Sequence, residues 1–295
     1  MRVLIAGGGL GGLTLAHGLR NAGLQPAVFE RGPARADLTT SYRIHIDATG
    51  SRALHACLPP DRWLEFERRS AASPRGIAFT TEQLDHLALI AEADPEHDPV
   101  AHAHPISRAG LRQLLLRGLE DVVAFDKAVV GYEHSSDGQV VVYLADGTSA
   151  RGDVLVGADG SASAVRKQLL PAARVVDTGV AGIAGKVYLT EQARQRVGPR
   201  LLSQMTMVLP LRGMAMFMAP FQRRADQPES ADALDLPEHL FWVVLGQASA
   251  LGLARGSRQQ SASQLQQLAR ETVDRWHPLL RWLVEEAHLA SVVGV

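Results

Sequence analysis

The stretch "VLIAGGGLGG" at residues 3–12 combines a short apolar run with a cluster of glycines. The apolar run is typical of a buried parallel strand. Gly7, Gly9 and Gly12 then give the spacing G-x-G-x-x-G. Glycine suits a tight turn, a close approach of the backbone to a pyrophosphate, and close packing of a helix on a strand. The stretch therefore predicts a dinucleotide-binding turn between a strand and a helix.

A helix, a second strand and an acidic residue follow this turn. Residues 13–23 have the apolar spacing of a helix, and "QPAVFE" at 25–30 supplies the next strand. Glu30 ends that strand about 20 residues after the turn, where a carboxylate can bind the ribose of adenosine. An acidic residue there argues against a ribose 2′-phosphate, which favours FAD or NAD over NADP. Arg31 is either a neighbour of the adenine or phosphate, or a solvated arginine.

Composition limits the other classes of function. The 295-residue chain is 46% hydrophobic and has a formal net charge of −1. It can bury a large core, and it has no charge excess that would attract nucleic acid or an anionic membrane. Cys57 is the only cysteine, so no disulfide framework or cysteine-based metal site is expected. With no signal peptide and no apolar run long enough to cross a membrane, we expect a cytoplasmic protein.

The rest of the chain predicts an α/β fold in which a Rossmann-like nucleotide domain is interleaved with a mainly β domain. Helices are predicted at 47–58, at 106–119 with Ser107 as N-cap, at 261–276 and from Pro278 onward. Antiparallel strands joined by Asp-Gly turns are predicted from Val129 to 150, a buried strand at 154–158, and a second sheet at 173–189, 204–210, 213–220 and 239–246. The polar stretch at 222–239 predicts a surface loop. The expected nucleotide domain comprises 1–73 and 104–172, and the expected second domain 74–103 and 173–295.

A second strand-turn-helix pattern occurs in mid-chain, at "VLVGADGSASAVRKQL", residues 154–169. It lacks the glycine spacing of the first turn. The residues alone leave three interpretations open, which are a second nucleotide site, a structural turn, and a second contact to the ligand of the first turn. A plain NAD dehydrogenase would continue with alternating strands and helices, whereas a long irregular segment follows Glu30 here.

Three segments resemble one known family. They are "VLIAGGGLGGLTLAHGL" with "VFERG", then "ISRAGLRQLL", and "GADGSASAVRK", which matches D-G-x-x-S-x-V-R. The chain is similar over most of its length to single-component FAD-dependent aromatic hydroxylases, the p-hydroxybenzoate hydroxylase-like flavoprotein monooxygenases. In that family the D-G turn lies by the FAD pyrophosphate and is linked to use of NAD(P)H.

The resemblance implies FAD as cofactor, NADPH or NADH as reductant, and O2 and a small aromatic compound as substrates. Oxygen would reach the ring through a C4a-hydroperoxyflavin, and a bulky polyketide or antibiotic is the expected substrate. The implied FAD-binding residues are Gly7, Gly9, Gly12, Glu30, Arg31, Arg108, Asp159, Gly160, Ser163 and Arg166. Because Asp159 and Gly160 belong to this set, the resemblance favours a second contact to one FAD. An early-helix surface position is the alternative for Arg108.

"SYRIHIDATG" supplies the catalytic candidates. Arg43, His45 and Asp47 lie near the positions where relatives have residues that face the isoalloxazine and the substrate. Alternatively, Arg43 and Asp47 form a surface pair and His45 packs in a strand. The group His97, His102 and His104 lies in a proline-rich stretch without a second ligand cluster, so a solvated loop is favoured over a metal site.

Methionines recur in the second sheet. Alternation predicts that Met205 and Met207 share one face of their strand, and that Met214, Met216 and Met218 share one face of the next. Core packing is the favoured interpretation, and a broad apolar pocket is the alternative.

One motif of the family is missing. Relatives carry a later G-D turn whose aspartate contacts the flavin ribityl chain, whereas this sequence stops at "ASVVGV". We interpret the chain as lacking the C-terminal part of the family and "SVVGV" as a strand cut short. A non-catalytic FAD-binding protein and an NAD-dependent dehydrogenase remain the alternatives. The W-x-W-x-I-P signature of flavin-dependent halogenases is absent.

Overall fold

The computed structural model describes residues 1–34, 42–91, 100, 102–210, 213–224, 236–253 and 260–295. The described residues fall in two compact units. Unit 1 is drawn from Met1–Ser70 and Ile106–Val176, and unit 2 from Ala71–Pro105, Asp177–Ser230 and Leu236–Val295. Both units combine helices and strands, so the predicted α/β fold class is confirmed.

The strands and helices have the following bounds. The strands are β1 (Arg2–Ala6), β2 (Gln25–Phe29), β3 (Arg43–Ile46), β4 (Gly76–Thr80), β5 (His86–Ala91), β6 (His104–Ser107), β7 (Val123–Ala124), β8 (Val129–His134), β9 (Val140–Leu144), β10 (Ser149–Gly152), β11 (Val154–Gly157), β12 (Val180–Tyr188), β13 (Met205–Val208), β14 (Ala215–Phe221), β15 (His239–Gln247) and β16 (Val293–Gly294). The helices are α1 (Leu10–Asn21), α2 (Ala48–Cys57), α3 (Pro60–Arg69), α4 (Arg108–Leu116), α5 (Ala164–Leu169), α6 (Glu191–Leu202), α7 (Ala262–Thr272) and α8 (Pro278–Glu285). Among the described helices, none is long and apolar enough to cross a bilayer.

Unit 1 is built on a parallel sheet with strand order β11-β1-β2-β7. β1 lies between β11 and β2, and Leu4, Ile5 and Ala6 are completely buried. A strand covered on both faces needs apolar residues throughout, which is why its sequence is a continuous apolar run. Leu13 and Ala16 of α1 are completely buried as well. The mid-chain strand β11 is therefore a direct neighbour of the N-terminal strand, although about 150 residues separate them.

Unit 1 also contains a three-stranded antiparallel sheet, β10-β9-β8. Its two hairpins turn at the Asp-Gly pairs that the sequence analysis identified, where Gly138 has φ +83° and Gly147 φ +84°. Positive φ suits glycine because it has no Cβ to clash with the backbone. Val142 and Leu144 of β9 form a cluster with Leu4 and Phe29 of the parallel sheet.

Unit 2 contains a seven-stranded sheet with order β16-β12-β15-β14-β13-β4-β5. Residues of α6, α7 and α8 pack against one face of it, around Trp242 and Met216, which are completely buried. The predicted strand at "SVVGV" is present as β16, where Val293 lies opposite Ala184 of β12. The predicted loop at 222–239 falls mostly on 225–235, outside the described residues.

The strand register places the methionines of unit 2 on opposite faces of the sheet. Directly opposed residues share a face, and Thr206 lies opposite Met218 while Met207 lies opposite Phe217. Met218 therefore points to the face away from Met207. It belongs, with Met216 and Met214, to the buried core that the helices cover. Core packing, the favoured interpretation, holds for these three methionines.

Candidate nucleotide-binding site

A cavity of about 570 Å³ lies in unit 1 where β1, β2 and β11 end. The three strands are parallel and adjacent, so the turns that follow them emerge at one edge of the sheet. β2 and β11 flank β1 on opposite sides. In sheets of this kind, ligands usually bind at the carboxyl ends of the strands, where the chain order changes direction from one side to the other. Of the residues implied by the family resemblance, those that line the cavity are Gly7, Gly9, Glu30, Arg31, Arg108, Asp159 and Gly160.

Gly7 joins the glycine loop to the mid-chain turn. Its φ is +108°, and a Cβ at this position would lie 2.3 Å from the carbonyl oxygen of Ala158 and 2.9 Å from Cα of Asp159. The Gly7 N–H donates to the carbonyl of Phe29 at 2.8 Å, and the Ala158 N–H donates to the carbonyl of Ala6 at 2.8 Å. The two turns are therefore in direct backbone contact, which only glycine at position 7 permits.

Gly12 lies behind the loop and does not line the cavity. A Cβ there would collide with the carbonyl oxygen of Gly7 and lie 3.3 Å from its carbonyl carbon. Gly12 therefore serves the close packing of α1 on the loop. Gly9 differs, because a Cβ built on it meets no atom within 4 Å. The first turn of α1 has no side-chain cap and no acidic residue, so its backbone N–H groups are available to an anion.

Glu30 is held by the backbone of the turns beside it. Oε2 accepts the N–H of Gly8 at 2.7 Å, and Oε1 accepts the N–H of Gly32 at 2.8 Å. An ionised carboxylate has about four lone-pair sites, so each oxygen keeps capacity for a further donor. The carboxylate is therefore fixed in place and can still accept hydrogen bonds from hydroxyl groups.

The mid-chain turn is organised by three side chains. Asp159 Oδ2 accepts the N–H of Ala164 at 2.7 Å, and Ser163 Oγ caps α5 by accepting the N–H of Arg166 at 2.9 Å. The Arg166 guanidinium donates to the carbonyl of Ser161 at 2.7 Å. Ser163 and Arg166 thus shape the turn without lining the cavity. Asp159 Oδ1 is buried and has no hydrogen-bond partner among the described residues.

Arg108 is the first residue of α4, and its N–H donates to the carbonyl of Tyr42 at 3.2 Å. Ser107 is the N-cap of α4, as predicted, and accepts the N–H of Gly110 at 3.2 Å. Among the lining residues with polar or charged side chains, two were not predicted from the sequence, Tyr42 and Arg112. Burial raises the pKa of Tyr42 to about 12, so its phenol stays protonated. Arg112 follows Arg108 by four residues, and this helical spacing is a signal that could have identified it.

None of the three catalytic candidates lines this cavity, although Arg43 directly follows Tyr42, which does. Arg43 and His45 are half-buried on β3. Burial lowers the pKa of Arg43 to about 10, and its Nε and Nη2 have no hydrogen-bond partner among the described residues. Asp47 is the exposed N-cap of α2 and accepts the N–H of Gly50 at 2.8 Å.

Replacing Asp47 with alanine is expected to lower the free energy of unfolding by about 1 kcal/mol, because the cap of α2 is lost. Cofactor affinity should not change. Asp47→Asn keeps a side-chain oxygen at the cap and is the matched control. Urea unfolding of both variants measures the difference. A loss of turnover in D47A without a loss of stability would show instead that Asp47 acts on the substrate.

A solvated loop was expected for the three histidines; His97 lies outside the described residues, and the expectation is wrong for His104, which is buried on β6. The rings of His102 and His104 are 4.0 Å apart. Over the described ranges, no group of three or more His, Cys, Asp or Glu side chains is arranged to hold a metal ion.

Comparisons with known proteins found FAD-dependent monooxygenases among the relatives. No protein-family model matches the chain. The dual O-methyltransferase/FAD-dependent monooxygenase elcB of Phaeosphaeria nodorum is 30% identical over an alignment covering 96% of this chain and 33% of the relative. A crystal structure described as an FAD-containing monooxygenase of Photorhabdus luminescens is 31% identical with a TM-score of 0.85, covering 100% of this chain and 75% of that chain.

A more distant structure shares the fold alone. HpxO of Klebsiella pneumoniae, solved with FAD and uric acid, is 21% identical with a TM-score of 0.74, over 100% of this chain and 67% of that chain. The chain spans about a third of the length of the first curated relatives it matches. With this fold, and with 31% identity to a solved relative of which it covers three quarters, the chain belongs to the family of FAD-dependent monooxygenases.

Proposed function

We propose that the chain binds FAD and forms part of an NAD(P)H-consuming monooxygenase that hydroxylates an aromatic substrate with O2. One observation carries the proposal. The glycine loop after β1, Glu30 after β2 and the Asp159-Gly160 turn after β11 line a single cavity. These segments are the ones through which the sequence resembles flavoprotein hydroxylases, and relatives of that type match the chain.

The cavity fits the diphosphate group of FAD in two respects. The uncapped N-terminus of α1 offers backbone N–H groups and the positive end of a helix dipole. Gly9 leaves open space where any side chain would stand, which lets a phosphate approach the backbone closely. We propose that Gly9 and the first turn of α1 bind the diphosphate, while Gly7 and Gly12 shape the loop.

The carboxylates of the cavity suit the sugar parts of FAD. Glu30 is proposed to accept hydrogen bonds from hydroxyl groups of the adenosine ribose, since both of its oxygens are held in place by N–H donors. Asp159 Oδ1 is proposed to accept a hydrogen bond from a hydroxyl group as well, because a buried oxygen without a donor destabilises the fold until one reaches it. Neither carboxylate can serve a phosphate, which also carries negative charge.

When bound, FAD supplies the redox chemistry by which electrons from NADH or NADPH activate O2. The protein's own contribution is to bind, orient and shield. Arg43 is the strongest of the three candidates for a contact to flavin or substrate, because its buried guanidinium keeps two donor nitrogens without a partner in the described structure. His45 shares its strand, whereas the carboxylate of Asp47 is used by α2.

We propose that residues 1–73 and 104–172 bind FAD and that residues 74–103 and 173–295 bind the substrate. Unit 2 supports an aromatic substrate through the face of its sheet that the helices do not cover. Phe79, Met207 and Phe217 lie opposite one another on β4, β13 and β14 and form a half-buried apolar row. An apolar row that includes two aromatic rings suits a planar ring system, and a polycyclic compound would cover more of it.

Reconstitution with FAD tests the proposed function. The purified chain should become yellow and keep bound flavin through gel filtration. Oxidation of NADH or NADPH by the reconstituted chain should then accelerate when aromatic ligands are added. A chain that stays colourless with FAD and binds NAD instead would contradict the proposal and favour a dehydrogenase. A chain that retains FAD but never oxidises NAD(P)H would favour the non-catalytic alternative.

A further inference from the structure

The charges of the cavity wall are unbalanced. Among the described residues that line it, two are acidic, Glu30 and Asp159, and three are basic, Arg31, Arg108 and Arg112. Backbone N–H groups already bind both oxygens of Glu30 and one oxygen of Asp159. Within the described ranges, none of the three arginines has an ion-pair partner. The wall therefore presents unpaired cations, which suits an anionic ligand.

Arg112 belongs to this wall through its position on α4. It follows Arg108 by four residues, so the two side chains lie on the same face of the helix, one turn apart. The guanidinium carbon of Arg112 lies 5.9 Å from the centre of the Phe125 ring. This contact orients the guanidinium without neutralising it, because an aromatic face attracts a cation but carries no net charge.

The position of the Phe125 ring shows at which end of the cavity Arg112 lies. Phe125 follows β7, which pairs with β2. Asp126 and Lys127, which follow Phe125, are hydrogen-bonded to the turn at Glu30. The Asp126 N–H donates to the carbonyl of Gly32 at 3.1 Å, and the Lys127 N–H donates to the carbonyl of Glu30 at 2.9 Å. Arg112 therefore lies on the Glu30 side of the cavity, where the adenosine ribose is proposed to bind.

We propose that Arg112 binds the ADP half of the cofactor and donates to one of its phosphate oxygens. The inference rests on the proposed function and assigns to Arg112 a role that the sequence motifs do not. A guanidinium presents a planar pair of N–H donors that matches phosphate oxygens, and such charge-assisted bonds are the stronger ones. Arg108, one turn closer to the start of α4, remains the partner for another part of the same molecule.

Calorimetric titration of the full 295-residue chain with FAD, ADP and riboflavin, taken separately, tests this inference. Arg112→Gln should lower the affinity for FAD and for ADP about tenfold and leave the affinity for riboflavin unchanged. The affinity for ADP should also become less sensitive to salt, because one screened attraction is lost. Arg112→Lys keeps the charge but not the paired donors, so its affinity for ADP should lie between those of the wild type and R112Q.

Arg151→Gln is the matched control. Arg151 is exposed on β10, pairs with Asp137 and does not line the cavity, so R151Q removes one positive charge elsewhere in unit 1. Its affinity for ADP should stay within twofold of the wild type. If the wild type binds ADP and R112Q binds it equally well, or if R112Q loses riboflavin and ADP alike, the inference is wrong. If the wild type binds neither FAD nor ADP, the proposed function itself fails.

Discussion

Replacing Gly9 with alanine is expected to weaken FAD binding at least about 100-fold and to leave the fold intact. The new methyl group meets no protein atom within 4 Å, but it occupies the space through which a phosphate would reach the first turn of α1. Loss of about two charge-assisted hydrogen bonds, at about 1.5 kcal/mol each, corresponds to that factor. Alanine is a poorer N-cap than glycine, which costs at most about 1 kcal/mol of stability.

Gly11→Ala is the control for this experiment. A Cβ on Gly11 also meets no atom within 4 Å, yet Gly11 is exposed on α1 and does not line the cavity. Alanine within a helix is favoured over glycine by about 0.5–1 kcal/mol, so G11A should be slightly more stable than the wild type and bind FAD equally well. Fluorescence titration and thermal unfolding measure both quantities. Equal FAD affinity in G9A and G11A would show that no phosphate approaches the loop.

Replacing Gly7 with alanine is expected to lower the free energy of unfolding by about 2–5 kcal/mol and to abolish FAD binding. At φ +108°, alanine would be strained by about 1–2 kcal/mol. Its Cβ would also collide with the backbone of Ala158, and overpacking of this kind costs about 1–3 kcal/mol. To relieve the collision, the glycine loop must move away from the turn after β11. That movement separates the two segments, the glycine loop and the Asp159-Gly160 turn, that line the cavity together.

Gly23→Ala separates the strain from the collision. Gly23 has φ +72° just after α1, and a Cβ built on it meets nothing within 4 Å. G23A should therefore show only the strain, about 1–2 kcal/mol, and retain FAD. Chemical unfolding, together with an FAD titration below the midpoint, compares the variants. If G7A retained full affinity for FAD, close contact between the two turns would not be needed for the site.

The parallel sheet of unit 1 could be predicted from sequence because a strand that is buried on both faces has a continuous run of apolar residues. β1 shows such a run and is buried, but the same reasoning was wrong for β11, which was predicted to be buried and is instead the edge strand of the sheet, with Val154 exposed and Leu155 and Val156 half-buried. The Asp-Gly turns of the hairpins, at Gly138 and Gly147, could also be predicted from sequence, since few other residues adopt positive φ. The apolar runs could not show which strands lie next to one another, because the pairing of β1 with β11 depends on the fold of the whole intervening chain.

Two of the described helices, α3 and α6, were not predicted from the sequence. In α3, six of ten residues are charged, and the buried side chains are Trp63 and Phe66. Ion pairs within the helix support it instead, with Glu65 bonded to Arg62 at 3.2 Å and to Arg69 at 3.0 Å. In α6, Gly198 and Pro199 interrupt the pattern, and Gly198 has φ +77° inside the helix. Neighbouring packing rather than propensity sustains such segments.

The candidate site was predictable where a motif fixes the backbone, and not where a side chain reaches in from elsewhere. The glycine positions and Glu30 follow from the local demands of a strand-turn-helix unit. Tyr42 and Arg112 enter the cavity from the segment before β3 and from α4, and of the two only Arg112 has a local signal, its spacing of four residues from Arg108. Assignment of Ser163 and Arg166 to the ligand stays a prediction, because both side chains are engaged in shaping the turn.

The most direct measurement is the stoichiometry of FAD bound to the 295-residue chain in a calorimetric titration. The glycine loop and the Asp159-Gly160 turn are proposed to hold the same molecule, so we predict a single binding event with one FAD per chain. That event should disappear as a whole in Gly7→Ala, which separates the two turns. Two independent FAD sites, or no binding of FAD by the folded chain, would contradict the account.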